Sequence, residues 1–300
     1  MNKTLRVSVG LLISAGCLWF LFRKFDFAAL GATLRGASYF WFVAVVLAFS
    51  CNMICRSFRW KILLSPLGEL PLPVVFPKLL VGFFMNNILP ARGGEVVRAV
   101  ALARDTGIPT SSILGSIVAE RMTDMTGLVM IILMASRLLP WAKLPVYPII
   151  AALLLGVAGM IGLIVIAKRT SAGGLINRIT SGFLALRSPS KIISVVLLSW
   201  AVWMGELLIV FFVARALHLN LTFFESAGVL TGLSVGVMIP AAPGYVGTYE
   251  FFGKAALTLL GKPAAASLAF VLVLHFFQLA LVALAALPTL IAPKRVLHAA

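Results

Sequence analysis

The chain has 300 residues, 61% hydrophobic and 11% charged, and its 25 Lys and Arg against 9 Asp and Glu give a formal net charge of +16. A soluble domain carries about 25% charged residues, so a cytosolic catalytic domain and a nucleic-acid-binding domain are both excluded. The chain reads as membrane-embedded, its excess of Lys and Arg marking cytoplasmic loops first and attraction to anionic headgroups second.

Lys3 and Arg6 precede an apolar run over 7–22, long enough to span with its flanks. Ser14-Ala15-Gly16-Cys17 has a faint likeness to a lipoprotein cleavage site, but the run continues through Leu18 to Phe22, so a retained first span is expected. A second span is expected over 39–55, entered through Tyr39, Phe40, Trp41 and Phe42, where interfacial rings belong. Arg56, Arg59 and Lys61 then form a basic cluster expected on the cytoplasmic side. The connection through Pro66, Gly68, Pro71 and Pro73 cannot be helical throughout. An apolar run over 74–89 ends at Asn86-Asn87-Ile88-Leu89-Pro90-Ala91-Arg92-Gly93-Gly94-Glu95, and 95–105 continues with charges. The next membrane segment, 112–136, carries Glu120, Arg121 and Asp124 in its first half.

After a short loop, 146–167 spans again, followed by the most basic loop, with Lys168, Arg169, Arg178, Arg187 and Lys191. The span over 192–214 holds Glu206, 226–242 is apolar and broken, 245–260 follows, and 264–292 is the last long span before Lys294 and Arg295. Gly228, Gly232 and Gly236 recur every four residues and offer a bare helix face for close packing. Cys17, Cys51 and Cys55 make no case for a disulfide or a metal site. His218 and His298 are uninformative; for His275, alone in an apolar span, the readings are a proton site and core packing, with core packing expected.

Placing the loop 168–191 in the cytoplasm puts both ends of 74–105 on one side of the membrane, as a re-entrant hairpin turning at Pro90, Gly93 and Gly94. Counting the second half in the same way makes 226–260 a hairpin entering from the other side, broken at Pro240, Pro243, Gly244 and Gly247. The expected fold is an all-α polytopic membrane protein of about six transmembrane helices plus two re-entrant hairpins in an inverted repeat. It forms a single integral membrane domain with half-repeats 1–140 and 141–300, both termini being cytoplasmic.

Charges inside membrane segments cost roughly 2.5–3.5 kcal/mol each at a helix centre and are most often functional. Glu95, Arg98, Glu120, Arg121, Asp124, Glu206 and Glu250 are therefore the informative residues, joined by Arg92 at the first break. Spacing pairs Glu95 with Arg98 and Arg121 with Asp124 on single helix faces. The alternative reading is that these charges only neutralise one another and lock the fold. Arginine suits a phosphate because its planar fork donates two hydrogen bonds at once. There is no Walker A sequence, HExxH, GxSxG or DDxxD motif, so neither a cofactor nor a metal is expected and the chain is not read as an enzyme.

Asn87-x-x-Pro90-x-Arg92-x-Gly94-Glu95-x-x-Arg98, then Glu120-Arg121-x-x-Asp124, then Pro243-Gly244-x-x-Gly247-x-x-Glu250 resemble the lysylphosphatidylglycerol synthase transmembrane family. That family includes the flippase-like membrane region of the multiple peptide resistance factor, and the resemblance covers nearly the whole chain. It implies a lipid translocase of the bacterial inner membrane, expected here without the soluble synthase domain and its activity. The implied substrate is a lipid with a charged headgroup, or a polyprenyl or hopanoid lipid. Asn87, Arg92, Glu95, Arg98, Glu120, Arg121, Asp124 and Glu250 are its candidate substrate ligands, the arginines for phosphate and the acids for a cationic group. A lipid-modifying transferase and an ion-coupled carrier of a small solute are the alternatives. A second copy of the chain or a lipid-synthesising enzyme is the expected partner.

Overall fold

The computed structural model describes residues 34–136, 174–239 and 242–291, with isolated positions at 19 and 31. The spans expected over 7–22 and 146–167, the helix break at Pro240, and the basic residues Lys3, Arg6, Lys168, Arg169, Lys294 and Arg295 lie outside them. So do Cys17, His298 and both termini.

The described residues form nine α-helices and no strand. In chain order these are α1 (Tyr39–Leu64), α2 (Leu72–Ile88), α3 (Gly93–Thr106), α4 (Thr110–Ser136), α5 (Leu175–Ser181), α6 (Pro189–Ala216), α7 (Phe223–Met238), α8 (Thr248–Leu259) and α9 (Ala264–Ile291). Short 3-10 turns at Pro90–Arg92 and Pro243–Tyr245 break the chain between α2 and α3 and between α7 and α8.

Helix length separates two classes. With 26, 28 and 28 residues, α1, α6 and α9 are long and apolar enough to cross a membrane. At 1.5 Å per residue each exceeds the roughly 30 Å of hydrocarbon in a bilayer. α4 is as long, with 27 residues, but carries the charges Glu120, Arg121 and Asp124. The 17 residues of α2, 14 of α3, 16 of α7 and 12 of α8 make each of these helices shorter than the same hydrocarbon layer.

Each short pair folds back as a helical hairpin. Leu89 leaves the helical region (φ −94°, ψ 139°) and Arg92 turns left-handed at φ 56° before α3 starts. The two arms of this hairpin touch at Gly94: a Cβ there would run into the carbonyl oxygen of Gly82 and lie 2.6 Å from the Asn86 nitrogen. In the second hairpin a Cβ on Gly236 would lie 2.7 Å from the Thr248 carbonyl, and one on Gly232 equally close to the Ala256 Cβ. The small-residue face read from the sequence therefore seats α8 on α7.

The order long helix, short helix, 3-10 turn, short helix, long helix occurs twice, once from α1 to α4 and once from α6 to α9. α1 and α6 share the most extensive helix contact and run antiparallel. Ser38 N–H donates to the Ala216 carbonyl (2.8 Å), Asn52 Nδ2 to the Val202 carbonyl (2.7 Å) and Lys191 Nζ to Ser65 Oγ (2.7 Å), so the start of one helix meets the end of the other. The contacts of the remaining helices are reciprocal: α4 packs on α7, and α9 on α2.

α1 corrects one expectation. It continues past Cys55 to Leu64, so Arg56 and Arg59 are not in a solvated basic loop. Their relative exposures are 8% and 0%. The sequence FRWKILL continues the helix, and Trp60, Leu63 and Leu64 are fully buried beside them.

Candidate functional site

The two hairpin turns meet. The 3-10 turns touch each other and the second also packs on α2, bringing Gly244 next to the Asn87 carbonyl. Arg92 spans the junction, its Nη2 3.5 Å from the carbonyl oxygen of Val237 near the end of α7. No carboxylate among the described residues lies within ion-pair distance of Arg92. Asn87 is half-buried at the last turn of α2, Pro90 and Gly93 frame the first break, and Gly94 makes the close approach already described.

Behind the first turn lies a buried cluster of charges. Glu120 has a fully buried side chain and accepts from Arg98 Nη2 (2.7 Å), Arg59 Nη2 (3.1 Å) and Arg121 Nη2 (3.3 Å). Asp124, one turn further along α4, meets Arg59 and accepts from Arg121 Nη1 at 3.1 Å. Glu95 on α3 meets Arg121 Nε at 3.1 Å. Ser199 of α6 adds a hydroxyl to Arg59 at 2.9 Å, and the Arg98 guanidinium lies over the Trp60 ring, 4.5 Å from its centre. Three arginines thus face three carboxylates in a low-dielectric setting, where an unpaired charge would be costly.

The geometry brings together Glu95, Arg98, Glu120, Arg121 and Asp124. It also changes one pairing: Glu95 and Arg98, three apart on α3, do not bond each other but each reaches a different residue of α4. Arg121 and Asp124 pair along α4 as their spacing requires.

Glu250 stands in a different group. Its carboxylate accepts the Gly247 backbone N–H at 2.7 Å and faces His275 Nδ1 of α9. Gly247 holds φ 94°, a conformation that leaves its N–H pointing at the carboxylate and suits a residue without Cβ. The Tyr249 ring stacks on the His275 ring with centres 4.3 Å apart, and the Tyr249 hydroxyl donates to Gln278 Oε1 at 2.8 Å. Gln278 Nε2 reaches Glu206 Oε2 at 3.3 Å, and Arg56 Nη2 reaches the other oxygen of Glu206 at 2.8 Å. His275 is thus not merely a packed core ring.

Sequence reasoning missed Arg59, Tyr249 and Gln278, and gave His275 no partner. Arg59 carried a signal: it lies three residues from Arg56 at helical spacing, within a run whose apolar residues continue to Leu64. Tyr249 carried none, since a Tyr near the start of an apolar run is ordinary, but Gln278 did: it is an amide in the middle of the 264–292 span, where an unpaired polar group is costly.

Between α2, α3 and α4 a closed crevice with no room for a water molecule is lined by Gly82, Phe83, Asn86, Glu95, Arg98 and Arg121. Asn86 Oδ1, Arg98 Nε, Glu95 Oε1 and Arg121 Nε are buried there without a hydrogen-bond partner, the last two facing each other at ion-pair distance without hydrogen-bond geometry. Pockets for drug-sized ligands hold roughly 300–1,000 Å³, so this crevice must widen to admit a headgroup. No group of three His, Cys, Asp or Glu able to hold a metal occurs among the described residues.

A sequence model of one family, the lysylphosphatidylglycerol synthase TM region, matches residues 7–286. No curated protein and no solved structure matches the chain.

Proposed function

The chain belongs to the lysylphosphatidylglycerol synthase TM region family, and from that premise we propose that it is a translocase moving a lipid with a polar or charged headgroup across the bacterial cytoplasmic membrane. The observation that carries this reading is the meeting of two hairpins, each arm too short to cross the bilayer, with Arg92 at their junction and no carboxylate among the described residues holding it. Non-helical backbone at membrane depth persists only where protein or a water-filled cavity surrounds it. The recurring element order and the antiparallel α1 and α6 support an inverted repeat with its site between re-entrant hairpins, the plan of many transporters. The termini are then cytoplasmic.

In this mechanism Arg92 takes the lipid phosphate. Arg121 and Glu95, whose side chains are 29% and 21% exposed, part to receive the rest of the headgroup, and the acyl chains stay in lipid. Glu120, Arg59 and Arg98 position them from behind. The lipid leaves chemically unchanged.

The test uses the purified chain in phosphatidylcholine vesicles containing lysylphosphatidylglycerol or phosphatidylglycerol. Amine labelling or periodate oxidation reads the outer-leaflet fraction with time, and mass spectrometry reads the lipids afterwards. Wild type is expected to move at least one of the two faster than protein-free vesicles. Losing a charge-assisted bond costs about 1.5–3 kcal/mol, so Arg92→Ala should slow movement roughly tenfold or more. Movement no faster than in protein-free vesicles refutes the reading, and a new lipid species would indicate a transferase instead.

A further inference from the structure

We propose that the buried pair of Glu250 and His275 is a proton-binding site, and that its occupancy clamps or releases the second hairpin so that lipid movement is coupled to protons. The coupling rests on the translocase reading above; the proton site stands without it.

The argument begins from what each interior carboxylate faces. Glu95, Glu120, Asp124 and Glu206 each lie within ion-pair distance of an arginine. Arginine keeps its proton in proteins, so those pairs hold a constant charge. Glu250 faces a histidine instead, and the side chains of Glu250 and His275 are 5% and 7% exposed. Histidine is the side chain whose ordinary titration falls between about pH 5 and 8. With a neutral imidazole the pair carries one negative charge, and with an imidazolium it carries none. Binding or losing one proton here therefore changes the charge of this interior by one unit.

The other groups around the pair leave it free to do this. Tyr249 from its own helix stacks on His275, and Gln278 is bonded to the Tyr249 hydroxyl. Glu206 on α6 is held by Arg56 of α1. The charges on the neighbouring helices α2 and α7, Lys78 and Glu225, are engaged by Asp105 and Lys262, and Lys254, one turn after Glu250 on α8, makes no ion pair with it.

The position gives the proton a lever. Glu250 sits in the first turn of α8 and holds the Gly247 N–H, while His275 belongs to the long helix α9. Charging His275 makes this contact an ion pair that fastens the hairpin turn to α9, and losing the proton weakens the fastening. The same turn packs against the first turn, where Arg92 lies.

Two measurements test this on the full chain. In nanodiscs of phosphatidylcholine and phosphatidylglycerol, imidazole nitrogen NMR, with the resonance assigned through His275→Asn, is expected to show His275 titrating reversibly between about pH 5 and 8. Glu250→Gln, which removes the carboxylate facing Nδ1, should alter that response. If that variant does not fold, the wild-type titration alone decides. A His275 that keeps one protonation state across this range overturns the proton site. In vesicles with a pH difference across the membrane, wild type should move lipid several-fold faster in one direction of the gradient, and His275→Gln should erase the difference. Lipid movement indifferent to the gradient overturns the coupling. No lipid movement under any gradient overturns the translocase reading, and with it the coupling, while the NMR titration still decides the proton site.

Discussion

Glu120→Gln is the sharpest test of the charge cluster, because it preserves shape and removes one charge. Arg98 is 2% exposed, and its one carboxylate partner among the described residues is Glu120. The substitution leaves that guanidinium buried without a counter-charge, and breaking one side of a buried pair costs about 3–5 kcal/mol. Arg98→Met should cost less, since Glu120 keeps Arg59 at 3.1 Å and Arg121 at 3.3 Å. The double variant restores three-against-three balance minus one pair, so it should be more stable than the sum of the single losses by about 1–3 kcal/mol. Reversible unfolding in detergent micelles or bicelles, with the two singles and the double forming a cycle, measures all of these. A loss below about 1 kcal/mol for Glu120→Gln, or strict additivity in the cycle, would refute the reasoning that this carboxylate compensates Arg98.

Asn52→Ala removes a 1% exposed amide that donates to the Val202 carbonyl and accepts from Arg56 Nε at 2.6 Å; the same unfolding assay should register a loss of about 1–3 kcal/mol. Gly94→Ala drives a methyl group into the Gly82 carbonyl, so α2 and α3 must part; a loss of about 1–3 kcal/mol is expected, with increased protease or cysteine-reagent access at the first turn. Thr222→Ala breaks the capping box with Glu225 at the start of α7, whose hydrogen bonds are 3.1 and 2.7 Å. It should cost about 1 kcal/mol and leave the rate of lipid movement in vesicles unchanged.

The fold was legible where composition and helix breakers speak directly. Apolar runs located α6 and α9 within a few residues, and Pro90 with Gly93 and Gly94 marked the first turn. The end of α1 was not legible, because Arg56 and Arg59 look like the charged flank of a span. Only their counter-charges on α4 and α6, distant in the chain, explain how the helix carries them inward. The pairing of Glu95 with Arg121 rather than Arg98 was hidden for the same reason: spacing along one helix reports neighbours on its face, whereas the angle between α3 and α4 decides which of them is reached. His275 showed only as a lone histidine in an apolar span, since its partner arrives from another helix.

Burial divides the charged residues by task. Arg59, Arg98 and Glu120 have side chains 0–2% exposed, so exchanging any of them for a ligand would strand a charge in the interior. Arg121 and Glu95 are tied to the same cluster but are 29% and 21% exposed, and both line the crevice beside the first turn. A zwitterionic headgroup could replace their contact at little net electrostatic cost, because it offers each residue the opposite charge it gives up. An anion alone could not, since freeing Glu95 would leave its carboxylate uncompensated. If the chain moves lipids as proposed, the outer pair favours headgroups of mixed sign, with Arg92 for the phosphate, and the inner trio keeps that pair in place.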